Sequence, residues 1–370
     1  MVCARYLPFV GGTETHTREV STRLTSMGHR VTVLTTDPTR QLDPLEDNDG
    51  VRVVRVPAWP RSRDYYYAPG VYKEIDRGHW DVMHCQGYHT LVAPLAMLAS
   101  LRAGLPYVVS FHSGGHSSQV RNALRRFQWY ALRPLLSRAS RLVAVSRFEA
   151  DLFQRSLHLP PDQFTVIPNG SQLPAVEVTP EGNPDKPLIV SVGRLERYKG
   201  HHRVITAFPH VLEAYPEAHL RILGTGPFEP QLRKLVSERG LAEYVTIRGI
   251  DPSDREGMAR TLASASVVVA LSAYESHGVA IMEAVALGRP ALVSNTSALL
   301  ELSERGLTRS IPLEASDEAL AAAIIGELRD PITPSDSDLP SWDSCATQLH
   351  FLYCRAVATA WTAPQRPDSK

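Results

Sequence analysis

The sequence predicts an α/β protein made of two doubly wound, Rossmann-like halves facing each other across a cleft. Three observations carry this. The 370 residues exceed one ordinary domain and suit two. Short apolar runs alternate with helix-like segments, the pattern of βαβ units. The pattern stops at 171–187, "SQLPAVEVTPEGNPDKP", which has four prolines and no periodicity, and then restarts.

From the N-terminus, "MVCARYL" reads as a strand that begins at Met1 with almost nothing before it. "ETHTREVSTRLTSMGH" reads as a helix. Val20, Leu24 and Met27 fall at i, i+4 and i+7 on one face, and Gly28 ends it as a C-cap. Strands are expected at 30–36, 51–57, 82–85, 107–112, 141–146 and 164–169. "VRNALRRFQWYALRPLLSR" is an amphipathic helix with Val120, Leu124, Phe127, Ala131 and Leu135 on one face, kinked by Pro134. After the linker, strands at 188–193, 220–226, 245–249, 267–272 and 291–294 alternate with helices near 200–214, 229–239, 254–264, 278–287 and 315–329. Residues 330–341 form a Pro/Ser/Asp connector, "WDSCATQLHFLYCRAV" a terminal helix and "APQRPDSK" a frayed tail. The expected division is 1–170, linker 171–187, 188–340, helix 341–362 and tail 363–370.

Composition excludes several classes. With 43% hydrophobic and 21% charged residues the chain has a soluble globular profile. Its formal net charge of zero does not suggest nucleic acid as a partner. No run of about 18 apolar residues is present, so no membrane-spanning helix is expected. The N-terminus lacks the zones of a signal peptide. Cys3, Cys85, Cys345 and Cys354 have no metal or redox spacing, which fits reduced thiols in a cytoplasmic protein. From Val82 to Phe148, 67 residues hold eight arginines and no acid, so the first half hides a basic region. The arginine-flanked amphipathic helix within it suits peripheral contact with an anionic membrane, and core packing explains its apolar face equally well.

Candidate chemistry gathers at strand ends. In "PFVGGTETH", Gly11 and Gly12 allow close backbone approach before a helix N-terminus that favours an anion; a plain turn is the alternative. The spacing is not G-x-G-x-x-G, so Asp37 reads as a turn residue rather than a ribose ligand of a dehydrogenase. His112 follows the strand in "YVVSFHS", at the end where open α/β sheets bind ligands, although a lone His is more often a packed one. His84, Cys85 and His89 lack a further ligand for metal. In "SVGRLERYKG", Gly193 opens a loop carrying Arg194 and Lys199, a fork and a point charge suited to one phosphate, whereas Arg197 reads as solvated.

The stretch "ALSAYESHGVAIMEAVALGRPALVS" places Glu275 before a helix and Glu283 inside it, with Ile281 and Val285 packing inward. Backbone N–H groups from Ser276, His277, Gly278 and Val279 suit a pyrophosphate at that helix tip. A carboxylate on either side accepts hydrogen bonds from a diol. For Glu283 alone, an acid favoured by the helix dipole is the competing reading.

This set resembles the retaining glycosyltransferases of family 4, which have the two-Rossmann GT-B fold. The likeness rests on "GGTETH", "SFHS", "VIPNG", "GRLERYKG", "GTGP" and the E-x7-E pair Glu275 and Glu283, in the expected order along nearly the whole chain. The resemblance implies that Gly12 backs the diphosphate and that Arg194 and Lys199 neutralise the departing phosphates. Glu275 and the backbone of Ser276, His277, Gly278 and Val279 hold the sugar and β-phosphate, and Glu283 holds the ribose. Arg248, Gly249 and Ile250 contact the base through backbone, His112 meets the transferred sugar, and the terminal helix with Trp342 and Tyr353 crosses back onto the N-terminal half. Three departures stand out, the first being that the opening strand starts at Met1. His277 occupies a position where the family often has Phe, and "SNTSALLEL" replaces a Gly-Gly segment.

The implied reaction is transfer of a sugar, with retention, from a UDP- or GDP-linked donor to an acceptor hydroxyl in glycan, glycolipid or cell-envelope synthesis. The acceptor is unread. No cofactor is expected and no metal, since no Asp-x-Asp motif offers a ligand pair and "SDSD" sits in the Pro-rich connector. The rivals are a nucleotide-sugar epimerase or hydrolase, and a non-catalytic nucleotide-binding scaffold.

Overall fold

The computed structural model of the chain describes residues 1–9, 11–60, 66–113, 119–174, 176, 185–251, 254–332 and 339–362. Much of the 171–187 linker, the "SDSD" run and the 363–370 tail lie outside the described residues. The chain divides into two compact units. One comprises Met1–Ser113, Ala123–Asn169 and the segment from Trp342 onward; the other is mainly Gly170–Ser341.

In the first unit the order is β1 (Val2–Cys3), α1 (Gly12–Ser26), β2 (Thr32–Asp37), β3 (Leu45–Asn48), β4 (Val51–Pro57), α2 (Pro69–Arg77) and β5 (Met83–Gln86). It continues with α3 (Val92–Arg102), β6 (Tyr107–Ser110), α4 (Gln119–Leu136), β7 (Arg141–Ala144), α5 (Arg147–Leu157) and β8 (Phe164–Val166). The strands form one sheet in the order β3-β4-β2-β1-β5-β6-β7-β8, parallel except for the β3–β4 pair. Both faces are buried, which is why the strands read as continuous apolar runs. Leu34 joins Val71, Ile75 and Met97 on one face, while its neighbour Val33 packs with Val51 and Val53 on the other.

Helix α1 ends as its sequence predicts: Gly28 at φ +92° lets the His29 N–H reach the Leu24 carbonyl at 3.1 Å. Val20 and Leu24 are buried, but Met27 is exposed. Asp37 ends β2 and takes the Thr39 and Leu42 N–H groups at 2.8 and 2.9 Å, the turn role expected of it. Helix α4 departs from the expected face. Phe127 and Ala131 are exposed while Leu132 and Leu136 are buried, and the side chains of Val120 and Leu124 lie outside the described residues.

The second unit runs β9 (Leu188–Val192), α6 (His201–Ala214), β10 (His219–Leu223), α7 (Glu229–Glu238), β11 (Val245–Arg248), α8 (Arg255–Ala263) and β12 (Val267–Ala270). Then come α9 (Val279–Ala286), β13 (Ala291–Ser294), α10 (Ser297–Glu304), β14 (Arg309–Ile311) and α11 (Asp317–Arg329). Its parallel sheet has the order β11-β10-β9-β12-β13-β14. Successive residues feed opposite cores: Val267 and Val269 pack under α6 and α11, and Val268 and Ala270 under α9. The last helix, α12 (Trp342–Thr362), lies on α1 in the first unit, where Trp342, Cys345, Leu349 and Leu352 meet Val20 and Leu24.

Candidate active site

In the second unit the chain steps outward from β9 to β10 and β11, then returns to place β12 on the other side of β9. The crevice beyond the C-terminal ends of β9 and β12 is therefore a topological switch point, where such sheets bind ligands. The loops leaving these two strands meet there. Ala273 N–H donates to the Tyr198 carbonyl at 2.8 Å, and Lys199 Nζ lies 2.5 Å from Glu275 Oε1. The Lys199 and Glu275 side chains are only 15% and 20% exposed, so the pair is largely withdrawn from water. Burial works to lower the Lys199 pKa, but Glu275 and Tyr198 together outweigh it and hold the ammonium above its usual range.

Glu275 is held through one carboxylate oxygen and both backbone groups. Ser272 Oγ donates to its Oε1 at 2.8 Å, its N–H donates to Ser297 Oγ at 2.8 Å, and its carbonyl accepts the Ala298 N–H at 3.2 Å. Ser294 and Thr296 donate to the Ser272 carbonyl at 2.6 and 2.7 Å. The segment "SNTSALLEL" thus supplies three hydroxyls that clamp the Glu275 loop. Ser297 does so at φ +49°, a strained setting for a non-glycine residue.

Gly278 is the N-cap of α9, and no side chain caps that helix. At the entry to α9, Ser276 and Val279 are half-buried and His277 is buried. Glu283, one turn further, is buried and pairs with Arg255 of α8 at 2.5 Å. The glycine turns that floor the site are in backbone contact: Gly193 N–H donates to the Leu223 carbonyl at 2.9 Å, and Leu195 N–H to Thr225 at 3.0 Å.

Two expected residues stand elsewhere. Arg194 is 65% exposed and its guanidinium bonds Glu196 Oε1 at 2.7 Å, so it does not join Lys199 on Glu275; its charge nonetheless reaches Lys199 and opposes protonation there. The Arg248 carbonyl is occupied by the Gly224 N–H at 3.0 Å, and the Arg248 and Gly249 positions are exposed beside half-buried Ile250.

The first unit brings three separate motifs together. His16 Nδ1 lies 2.8 Å from Asn169 Oδ1, and the His16 ring meets His112 edge-on at 4.5 Å. His112 is held at φ +44°, with Nε2 2.8 Å from Gln86 Oε1. The Gln86 amide lies 3.2 Å from His84 Nδ1, which also meets the Tyr353 hydroxyl of α12 at 2.5 Å, while His84 Nε2 lies 2.8 Å from Ser110 Oγ. His84 is thus a buried link in a hydrogen-bond chain. A Cβ at Gly11 would stand 2.5 Å from Glu14 Oε2, the end of a side chain that can turn away, and one at Gly12 would meet nothing within 4 Å. Among the described residues no group of three His, Cys, Asp or Glu could hold a metal ion.

Sequence reasoning did not single out His16, Gln86, Ser297 or Arg255. The strand-end rule that found His112 applies equally to Gln86, the last residue of β5. Arg255 has no signal, since its role depends on how α8 packs on α9.

Residues 10–173 match the profile of Glycosyltransferase Family 4, and residues 178–338 that of Glycosyl transferases group 1. Glycogen synthase of Mycobacterium tuberculosis is 29% identical, over 96% of this chain and 94% of its own length. Phosphatidyl-myo-inositol mannosyltransferase of Mycobacterium leprae is 28% identical, over 90% and 87%. Among solved structures, Anabaena HepE in complex with UDP and glucose superposes with a TM-score of 0.70 at 18% identity, over 98% of this chain and 99% of that one.

Proposed function

The chain belongs to the group 1 glycosyltransferases of GT-B fold, and from that premise we propose that it moves a sugar from a UDP- or GDP-linked donor to an acceptor hydroxyl with retention. The observation that carries the proposal is the Lys199–Glu275 pair at the β9/β12 switch point, beside the uncapped N-terminus of α9.

The chemical difficulty is the departure of a diphosphate as positive charge grows on the sugar. Lys199 is already charged, partly dehydrated and held by Glu275, so it needs little reorganisation to meet a phosphate oxygen. The α9 N–H groups add fixed positive potential from the backbone. We assign Arg194 to the second phosphate contact, reached by exchanging its buried partner Glu196. Glu275 presents acceptors to the donor sugar, and Glu283 to the ribose diol. In the first unit, His112 and the Gly11–Gly12 turn keep the roles the family implies. We assign neutralisation of the leaving group to these side chains rather than to a metal.

Lys199→Ala tests this. Turnover with UDP- and GDP-linked sugars should fall by about 10²–10³, while calorimetry still detects nucleotide binding. Near-normal turnover would remove Lys199, and the proposed centre with it.

A further inference from the structure

Glu283 is the acid to which the proposed function gives the ribose, and the inference here rests on that reading. Its carboxylate is 6% exposed, on α9 among the buried side chains Ile281, Met282, Ala284 and Val285. A lone carboxylate so placed gives up its charge, because burial penalises the ionised form. A neutral carboxylic acid is a poor partner for a diol: two hydroxyl donors need acceptors, and protonation turns one acceptor into a donor. Something must keep Glu283 ionised and aimed.

Arg255 is built to do so. It is the first residue of α8, where the Asp254 side chain caps the helix by accepting the Gly257 N–H at 2.8 Å and so fixes where the arginine starts. Its guanidinium reaches across to α9 and places Nη2 2.5 Å from Glu283 Oε1. Arginine does not deprotonate in the working range, so it is a permanent counter-charge. An ionised carboxylate offers about four acceptor sites, so one bond from Arg255 leaves capacity for a vicinal diol.

We propose that Arg255 is a positioning residue for nucleotide recognition: it holds Glu283 as an oriented carboxylate, so that the site selects a nucleoside diphosphate with both ribose hydroxyls. Arg255 acts through Glu283 and not on the nucleotide itself. Burial pushes the Glu283 carboxyl up, and Arg255, the charged group acting on it, offsets part of that rise. Removing the arginine therefore lets Glu283 take up a proton at higher pH.

The test is calorimetry of UDP, GDP and their 2′-deoxy counterparts on the full chain, comparing Arg255→Met, Arg255→Lys, Glu283→Gln and the Met/Gln double variant. Arg255→Met should weaken the ribonucleotide by about tenfold or more, the scale of a hydrogen bond to a charged group, and the deoxynucleotide by less than about threefold. The double variant should be no worse than Glu283→Gln alone, since residues acting as one unit are not additive. Arg255→Lys should recover part of the loss, which also guards against misfolding of the Met variant. Ribonucleotide affinity of Arg255→Met should decline on acidification from a higher pH than in the wild type. Equal losses for ribo- and deoxynucleotide, or additive losses in the double variant, overturn the role of Arg255 and leave the donor site standing. A wild type that binds no nucleoside diphosphate overturns both.

Discussion

At the scale of single residues, buried histidines give the protein an acid-sensitive core. His16 and His201 are each about 1% exposed, and burial holds both imidazoles down to about 4. In the unfolded chain they titrate near 6.5. Between those values the unfolded state binds more protons, so stability is present above 6.5 and is lost as pH falls toward 4. His201→Gln should remove one such site. From pH 7 to pH 5 its unfolding free energy should drop by about 2 kcal/mol less than that of the wild type, measured by urea titration at each pH; an unchanged pH slope would rule this out. Residues with a charge and a strand-end position were legible: Lys199, Glu275 and Glu283 all lie in the loops or helix that the sequence pointed to. His201 and Arg255 were not, because what matters is depth of burial in one and a helix–helix contact in the other, and neither leaves a periodic mark.

At the scale of elements, the site depends on two strand-to-helix turns packed back to back. Gly224 ends the β10 turn at φ +153°, and a Cβ on it would stand 1.9 Å from the Gly193 carbonyl oxygen. That neighbour is backbone of the Lys199 loop and has no rotamer to yield. Gly224→Ala should lower stability by about 2 kcal/mol or more through backbone strain, and should weaken nucleotide binding by displacing Gly193. Thermal melts and nucleotide titration check it, and a variant with wild-type values for both would show that the turns are not in such contact. The sequence marked this turn through "LGTGP", and it placed β9, β12 and α9 within a residue or two because buried strands alternate with amphipathic helices. It missed β3, whose "LEDN" is a polar edge strand, and the three-residue β14. It also missed α10, whose opening "SNTS" has the composition of a loop while its hydroxyls clamp Glu275. In α4 both apolar stripes have helical spacing, and periodicity alone could not choose Leu132 and Leu136 over Phe127 and Ala131.

At the scale of the whole molecule, the proline-rich linker made two halves legible, but the destination of the terminal helix came from family likeness rather than from pattern. Helix α12 follows the second unit in sequence yet completes the core of the first. Leu349 is fully buried, with Leu352 and Cys345, against Val20 and Leu24 of α1, and Tyr353 on the same helix reaches His84. Deleting such a side chain removes its transfer free energy and leaves a cavity, together costing about 2–5 kcal/mol. Lys199, Glu275, Arg255 and Glu283 all lie in the second unit and take nothing from α12. Leu349→Ala should therefore lower the melting temperature while nucleotide affinity at a temperature well below the melt stays within about twofold of wild type, since additivity holds between sites with no shared partners. Nucleotide should still raise the melt of the unit that binds it, because a ligand specific for the folded form stabilises that form. If Leu349→Ala instead abolished nucleotide binding in a folded protein, the site of Lys199, Glu275 and Glu283 would depend on the α1–α12 core, and its independence from that core would fail.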